Sequence, residues 1–249
     1  MENSIQLISN LKKDIINCGI KTKAGEICIK IISMNTPISV EAINIVFSDE
    51  EKQKFMKISS TKRRREIYFG RFMAKLAAFE LSGIKDYHLH EISIVKGLFH
   101  NPLIIGKISN CAVSISHSKD YVAVVAFPKT LMIGLDIETI DYENRSGICQ
   151  NISENEGDIM TSGIGKELFS LILWTCKEAL GKCIGLGLSV NYAIYDIDSM
   201  EVCQLGYRST FANFPELIAY TTVLMGYLIS IVYPRKIEIE NKTSIISGN

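Results

Sequence analysis

Asp136 and Glu138 stand two apart in Ile133-Gly134-Leu135-Asp136-Ile137-Glu138. On an extended strand that spacing sends both carboxylates to one face and Ile137 to the other. Two like charges so placed repel unless a cation sits between them. After the apolar run Leu131-Met132-Ile133 they are also costly to desolvate uncompensated. Mg2+ is the natural candidate, a hard ion that takes oxygen ligands and completes its shell with water and substrate phosphates. Solvated acids at an exposed strand end are the competing reading. Further on, Trp174-Thr175-Cys176-Lys177-Glu178-Ala179-Leu180-Gly181-Lys182 sets Trp174, Glu178 and Lys182 at four-residue spacing along one side of a helix. Alone, a Glu178–Lys182 pair is ordinary surface chemistry. In a segment otherwise rich in Leu, Ile and Trp it marks a buried or interfacial edge. Three acids and two lysines in such settings suggest a divalent metal beside a phosphorylated ligand. Gly185 and Gly187 follow at once and allow close backbone approach to that ligand.

Other chemistry-bearing residues are weaker. Ser116-His117-Ser118 ends an apolar strand, but neighbouring side chains do not face each other and no acid follows to orient the imidazole, so an acyl-transfer dyad is disfavoured. Hydroxyl and imidazole donors there suit phosphate or sugar contacts better. His88-Leu89-His90 can hold a metal from one strand face but lacks a third ligand nearby. Residues 49–75 carry nine bases (including Arg63, Arg64, Arg65, Arg71 and Lys75) against four acids, a local excess that fits an anionic small molecule.

The elements that must position these residues read as follows. Strands are predicted near 26–33 and 40–47, then a helix from about Asp49 through Phe79 with Ile67, Phe72, Leu76 and Phe79 at helical spacing. Strands follow at 91–95, 112–116, 120–127 and 131–137. Residues 139–165 are polar and weakly periodic, a long loop; a helix over 166–184 and terminal strands finish the chain. Asp120–Pro128 resembles Gly226–Pro234, 106 residues on, and the same offset carries 65–77 onto 171–183, with Arg71 falling on Lys177. Two matches at one offset point to an internal duplication. Without strict strand–helix alternation the class is α+β: two α+β halves, 1–128 with the basic helix and 129–249 with the carboxylates.

Equal numbers of basic and acidic residues, 27 each, give no global field favouring nucleic acid or an anionic membrane. The N-terminus lacks the pattern of a signal peptide, and seven scattered cysteines without a Cys-x-x-Cys pair fit reduced thiols in the cytoplasm. Leu217–Tyr233 is apolar but interrupted by polar residues and glycine, so buried strands are expected there, not a membrane helix.

The ordered set Arg63-Arg64-Arg65-(x)4-Gly70-Arg71-(x)3-Lys75, Asn101-Pro102, Ser114-Ile115-Ser116-His117-Ser118, Gly134-Leu135-Asp136-Ile137-Glu138 and Trp174-(x)2-Lys177-Glu178-(x)3-Lys182 resembles the Sfp-like 4′-phosphopantetheinyl transferases, named for the surfactin-synthetase activator. The resemblance spans roughly residues 45–190, at family spacing. It implies a fold of two pseudo-symmetric α+β halves with the active site at their interface. It also implies a reaction in which a carrier-protein serine attacks the β-phosphate of coenzyme A, releasing 3′,5′-adenosine bisphosphate. By position, Asp136, Glu138 and Glu178 would bind Mg2+, with two or three of them ligating. Glu178, or Glu156 through a water, would take the serine proton, Glu156 falling in a stretch like the family's Phe-Ser-x-x-Glu. Lys182 would stabilise the pyrophosphate and the leaving group. Arg64, Arg65, Arg71, Lys75, Ser116, His117 and Lys177 join Lys182 as coenzyme A contacts.

Two positions depart from the family pattern. Asn101 stands where a lysine or arginine is usual, which puts one nucleotide contact in doubt with Lys96 as a possible substitute, and Ser114 stands for an asparagine. The implied partners are coenzyme A and an apo acyl, peptidyl or polyketide carrier protein, with fatty acid, polyketide and nonribosomal peptide pathways all open. A monomer is expected. The rival readings are a non-catalytic coenzyme A- or carrier-binding family member and a Mg2+-dependent phosphohydrolase.

Overall fold

The computed structural model describes residues 14–22, 25–141, 153–159, 163–187 and 190–237. The chain divides into two compact units between Lys129 and Thr130; residues from 238 on lie outside the described residues. Mixed sheets and helices make the fold α+β.

In the first unit, strands β1 (Ile16–Thr22), β2 (Gly25–Ser33), β5 (Cys111–Ser118) and β6 (Tyr121–Pro128) form an antiparallel sheet ordered β1-β2-β6-β5. A separate hairpin pairs β3 (Ile92–Lys96) with β4 (Pro102–Gly106). Three helices, α1 (Val40–Val46), α2 (Asp49–Met56) and α3 (Thr61–Leu81), lie between β2 and β3 in the chain. The expected strand at 40–47 is corrected to α1: the Ser39 side chain accepts from Ala42 N at 3.1 Å, and burying Ala42 and Val46, four apart, outweighs the β propensity of Val and Ile. The single helix expected from Asp49 is two, because Ser60 caps a fresh start by accepting from Arg63 N. Helix α3 buries Phe69, Phe72, Met73, Leu76 and Phe79 in the core against the sheet.

In the second unit, β7 (Gly134–Thr139), β8 (Ile197–Cys203), β9 (Gly206–Phe211), β10 (Leu217–Leu224) and β11 (Tyr227–Pro234) form a sheet ordered β7-β11-β10-β9-β8. The apolar stretch 217–233 is thus the β10–β11 hairpin, and no helix among the described residues is long and apolar enough to cross a membrane. Within the segment expected to be loop, a short helix α4 (Glu154–Asp158) forms; residues 142–152 and 160–162 lie outside the described residues. Helix α5 (Lys166–Cys183) buries Phe169, Ile172, Cys176, Ala179 and Leu180 against β7, β11 and β10. In each unit, then, one long helix packs on an antiparallel sheet, and the two matching sequence segments are the strands β6 and β11.

A buried glutamate repeats as well. Glu51 forms a capping box with Ser48, accepts from Ile94 N at 2.9 Å, and binds Arg71 (3.1 Å) and Lys75 (2.5 Å) of α3. Glu156 forms a capping box with Ser153, accepts from Ile197 N at 3.0 Å, and binds Lys177 of α5 at 2.7 Å. One carboxylate in each unit therefore ties a helix start, a long helix and a strand together.

Candidate active site

The carboxylates expected to hold a metal lie on β7 and α5. Asp136 and Glu138 leave the same face of β7, opposite Ser230 and Leu228 of β11, while Leu135 and Ile137 are buried on the other face. The close packing of α5 on β7 explains the glycine of this motif. A Cβ on Gly134 would run into the carbonyl oxygen of Ala179 and come within 2.5 Å of Cys183 N. With no side chain there, strand and helix backbones approach, bringing Glu178 and Lys182 up to the strand's acids. Lys182 donates to Asp136 Oδ1 at 2.6 Å. Burial, with Asp136 and Glu138 beside it, pushes the Glu178 carboxyl up to about 7, although Lys182 pulls the other way. Trp174, Glu178 and Lys182 are all half-buried at successive turns, the edge that their spacing predicted. Trp174 stacks on Tyr192 with ring centres 5.9 Å apart.

Lys177 and Glu156 stand elsewhere. Lys177 is 1 % exposed and bonds Glu156 and Asp196, its ammonium 4.7 Å from the centre of the Tyr192 ring. Glu156 is fully buried, and both its oxygens accept two bonds: Lys177 and Ile197 N on one, Lys177 and Ser153 N on the other. Both oxygens of this carboxylate are thus engaged by the fold. Asp196, which the sequence reading missed, completes this cluster; only its place after a 3-10 turn, 19 residues beyond Lys177, gives it away.

In the first unit the expected nucleotide contacts fall into two groups. Arg71 and Lys75 point to Glu51, Lys75 with no exposed surface and also donating to the Val46 carbonyl at 2.7 Å; burial holds its ammonium down at about 8. Arg64 and Arg65 are half-buried and His117 is exposed near the end of β5, whereas Ser116 beside it is buried. Arg64 lies over the Phe55 ring at 4.9 Å, and Arg65 donates to Asn35 O at 3.2 Å. His117 stands 3.6 Å from Glu66, which also binds Arg63 at 2.9 Å, so Arg63 joins this surface. Asn101 closes the tip of the β3–β4 hairpin, where its carbonyl accepts from Gly97 N. Lys96 pairs across that hairpin with Pro102 and is exposed.

The family model for the 4′-phosphopantetheinyl transferase superfamily matches residues 132–232. The chain is similar to a holo-[acyl-carrier-protein] synthase of Geobacillus sp. (strain WCH70), 36% identical over 84 residues that make up 32% of this chain and 70% of that protein. Among solved structures it matches a holo-(acyl-carrier-protein) synthase from Bacillus anthracis str. Ames in complex with CoA (3′,5′-ADP), at 24% identity and a TM-score of 0.37, over 43% of this chain and 95% of that one. The matched stretch takes in the whole β7–α5 cluster, Asp136, Glu138, Glu178 and Lys182 included, and the chain belongs to the 4′-phosphopantetheinyl transferase superfamily.

Proposed function

We propose that this chain is an Sfp-like 4′-phosphopantetheinyl transferase that modifies a carrier protein. The observation that carries the reading is the β7–α5 cluster: three acids and Lys182 gathered where Glu178 is pushed up by burial and by its two acidic neighbours. Asp136, Glu138 and Glu178 would hold Mg2+. Carboxylate oxygens are the donors that a hard ion takes, and the repulsion that adds to the effect of burial on Glu178 is what a cation relieves. Bound there, Mg2+ would neutralise charge on the phosphoryl oxygens.

The chain's own residues do the rest. The serine oxygen of the carrier attacks the β-phosphorus of coenzyme A; its proton passes to Glu178, and the bridging phosphorus–oxygen bond breaks to release 3′,5′-adenosine bisphosphate. Lys182, already aligned on Asp136, offers its ammonium to the developing negative charge. Arg64, Arg65, Ser116 and His117 take the nucleotide end, and Lys96 supplies from the same hairpin the cation that Asn101 lacks. Arg71, Lys75, Lys177 and Glu156 we assign to holding elements in place, since each is spent in a buried ion pair. Among the described residues the thiols of Cys28, Cys111, Cys176, Cys183 and Cys203 are free, which fits a reducing cytoplasm.

Incubation of purified apo acyl, peptidyl and polyketide carrier proteins with this protein, coenzyme A and Mg2+ tests the reading by mass spectrometry. A gain of the phosphopantetheine mass on a carrier is expected, and none with folded Asp136→Ala or Glu178→Ala. Calorimetric binding of coenzyme A with no mass gain on any carrier would replace transfer by binding alone. Free phosphopantetheine released without a carrier would replace it by hydrolysis.

A further inference from the structure

We propose that His88, His90 and Glu91 form a second metal site, one for a transition ion of the Zn2+ class. The sequence, read as a strand here, offers two histidines on one face and no third donor nearby. The fold supplies it. Ligand atoms of His88, His90 and Glu91 all lie within 4.8 Å of one another. Two imidazoles and a carboxylate are a donor set that Zn2+ accepts, with water free to complete the shell of an exposed site. Mg2+, which requires oxygen ligands in near-octahedral array, is a poor competitor there.

The turn that presents these donors is fixed from beneath. Leu89 and Ile92 are completely buried in the first unit's core, and Tyr87 meets Phe79 edge-on at 6.1 Å. Leu89–Glu91 is a single 3-10 turn, with Glu91 N bonded to His88 O at 3.0 Å and His88 N to Asp86 O at 3.1 Å. The side chains left outside are the donors themselves. Asp86 reaches His88 Nε2 at 2.9 Å, a carboxylate on an imidazole of the kind that orients metal-binding histidines. One group opposes metal uptake: Lys107, whose ammonium bonds Glu91 and lies 5.1 Å from the centre of the Phe79 ring. Metal uptake therefore exchanges a lysine for an ion at Glu91. The site depends on neither the β7–α5 cluster nor its chemistry.

Calorimetric titration of the chelator-stripped full chain with Zn2+, in buffer holding excess Mg2+, tests the assignment. One Zn2+ per chain is expected at this site, bound also by the Glu178→Ala variant. His90→Ala should weaken it by about tenfold or more, the scale on which even orienting partners of a ligand act. Lys107→Ala, which frees Glu91, should tighten it. The assignment is overturned if the wild-type chain takes up no Zn2+, if the His88→Ala/His90→Ala pair binds it unchanged, or if Lys107→Ala leaves affinity where it was or lowers it.

Discussion

At the scale of single residues, Glu178 is the group whose charge state most affects the site. Its carboxyl is raised from 4.5 to about 7 by burial and by Asp136 and Glu138, so the native chain holds a proton there that the unfolded chain has released. Stability therefore falls as pH rises from about 4.5 to about 7 and is level on either side. In chelator, the urea midpoint at pH 7.5 should lie below that at pH 5.5, and the gap should narrow in Glu178→Gln. An equal gap in both proteins would place the titration elsewhere. Mg2+ should lift the pH 7.5 midpoint, as any ligand of the native state does. For Lys182→Ala, loss of the ammonium that meets developing charge should lower transfer about 100- to 1000-fold in kcat, with carrier KM little moved. The type and spacing of these residues were legible in the sequence, since two-residue and four-residue periods fix faces directly. The partners of Lys75, Lys177 and Glu156 were not. A lysine facing a ligand and a lysine facing a buried glutamate read alike until the partner, far off in the chain, is placed beside it.

At the scale of elements, the buried glutamate nodes set the register of helix against sheet. Glu156→Ala would leave Lys177 in the interior with Asp196 alone. Breaking such a pair from one side costs about 3–5 kcal/mol, so a clear drop in urea midpoint is expected. Glu156→Leu with Lys177→Met should recover much of that stability, as apolar replacement of a buried pair commonly does. A Glu156→Gln variant with full stability and no transfer would instead return Glu156 to catalysis. Gly134→Ala is the complementary test, because a methyl there meets backbone on α5. Overpacking of this kind costs about 1–3 kcal/mol, and pushing strand from helix should cut transfer beyond what the stability loss explains. Elements rich in local signal, α5 and β6 among them, were readable from periodicity alone. Residues 40–47 were not, for their β-branched composition points one way and the Ser39 cap the other. The short β4 begins at a proline, after Asn101, and escapes notice for the same kind of reason.

At the scale of the whole molecule, 27 bases against 27 acids leave no net charge, and several of the bases clustered at 49–75 are answered by Glu50, Glu51 and Glu66. Association with the highly anionic coenzyme A should accordingly vary little with ionic strength, short-range pairing being less screened than a long-range field. Binding measured at low and high salt should differ by less than about tenfold; a steep dependence would reveal steering that the composition does not support. The duplication was legible as two matching segments at one offset, yet the match that ties each unit together, a glutamate with its capping serine, is too short to stand out in a sequence.

Those two glutamates have drifted in opposite directions. Glu51 answers two cations, Arg71 and Lys75, whereas Lys177 answers two anions, Glu156 and Asp196. The two nodes thus share a plan but carry opposite residual charge. Neither long helix is an interchangeable part: α3 carries two cations to its node and α5 one, so a swap would change the net charge of both nodes. A graft or chimera between the copies must therefore move the serine, the glutamate and the strand along with the helix, as one cassette.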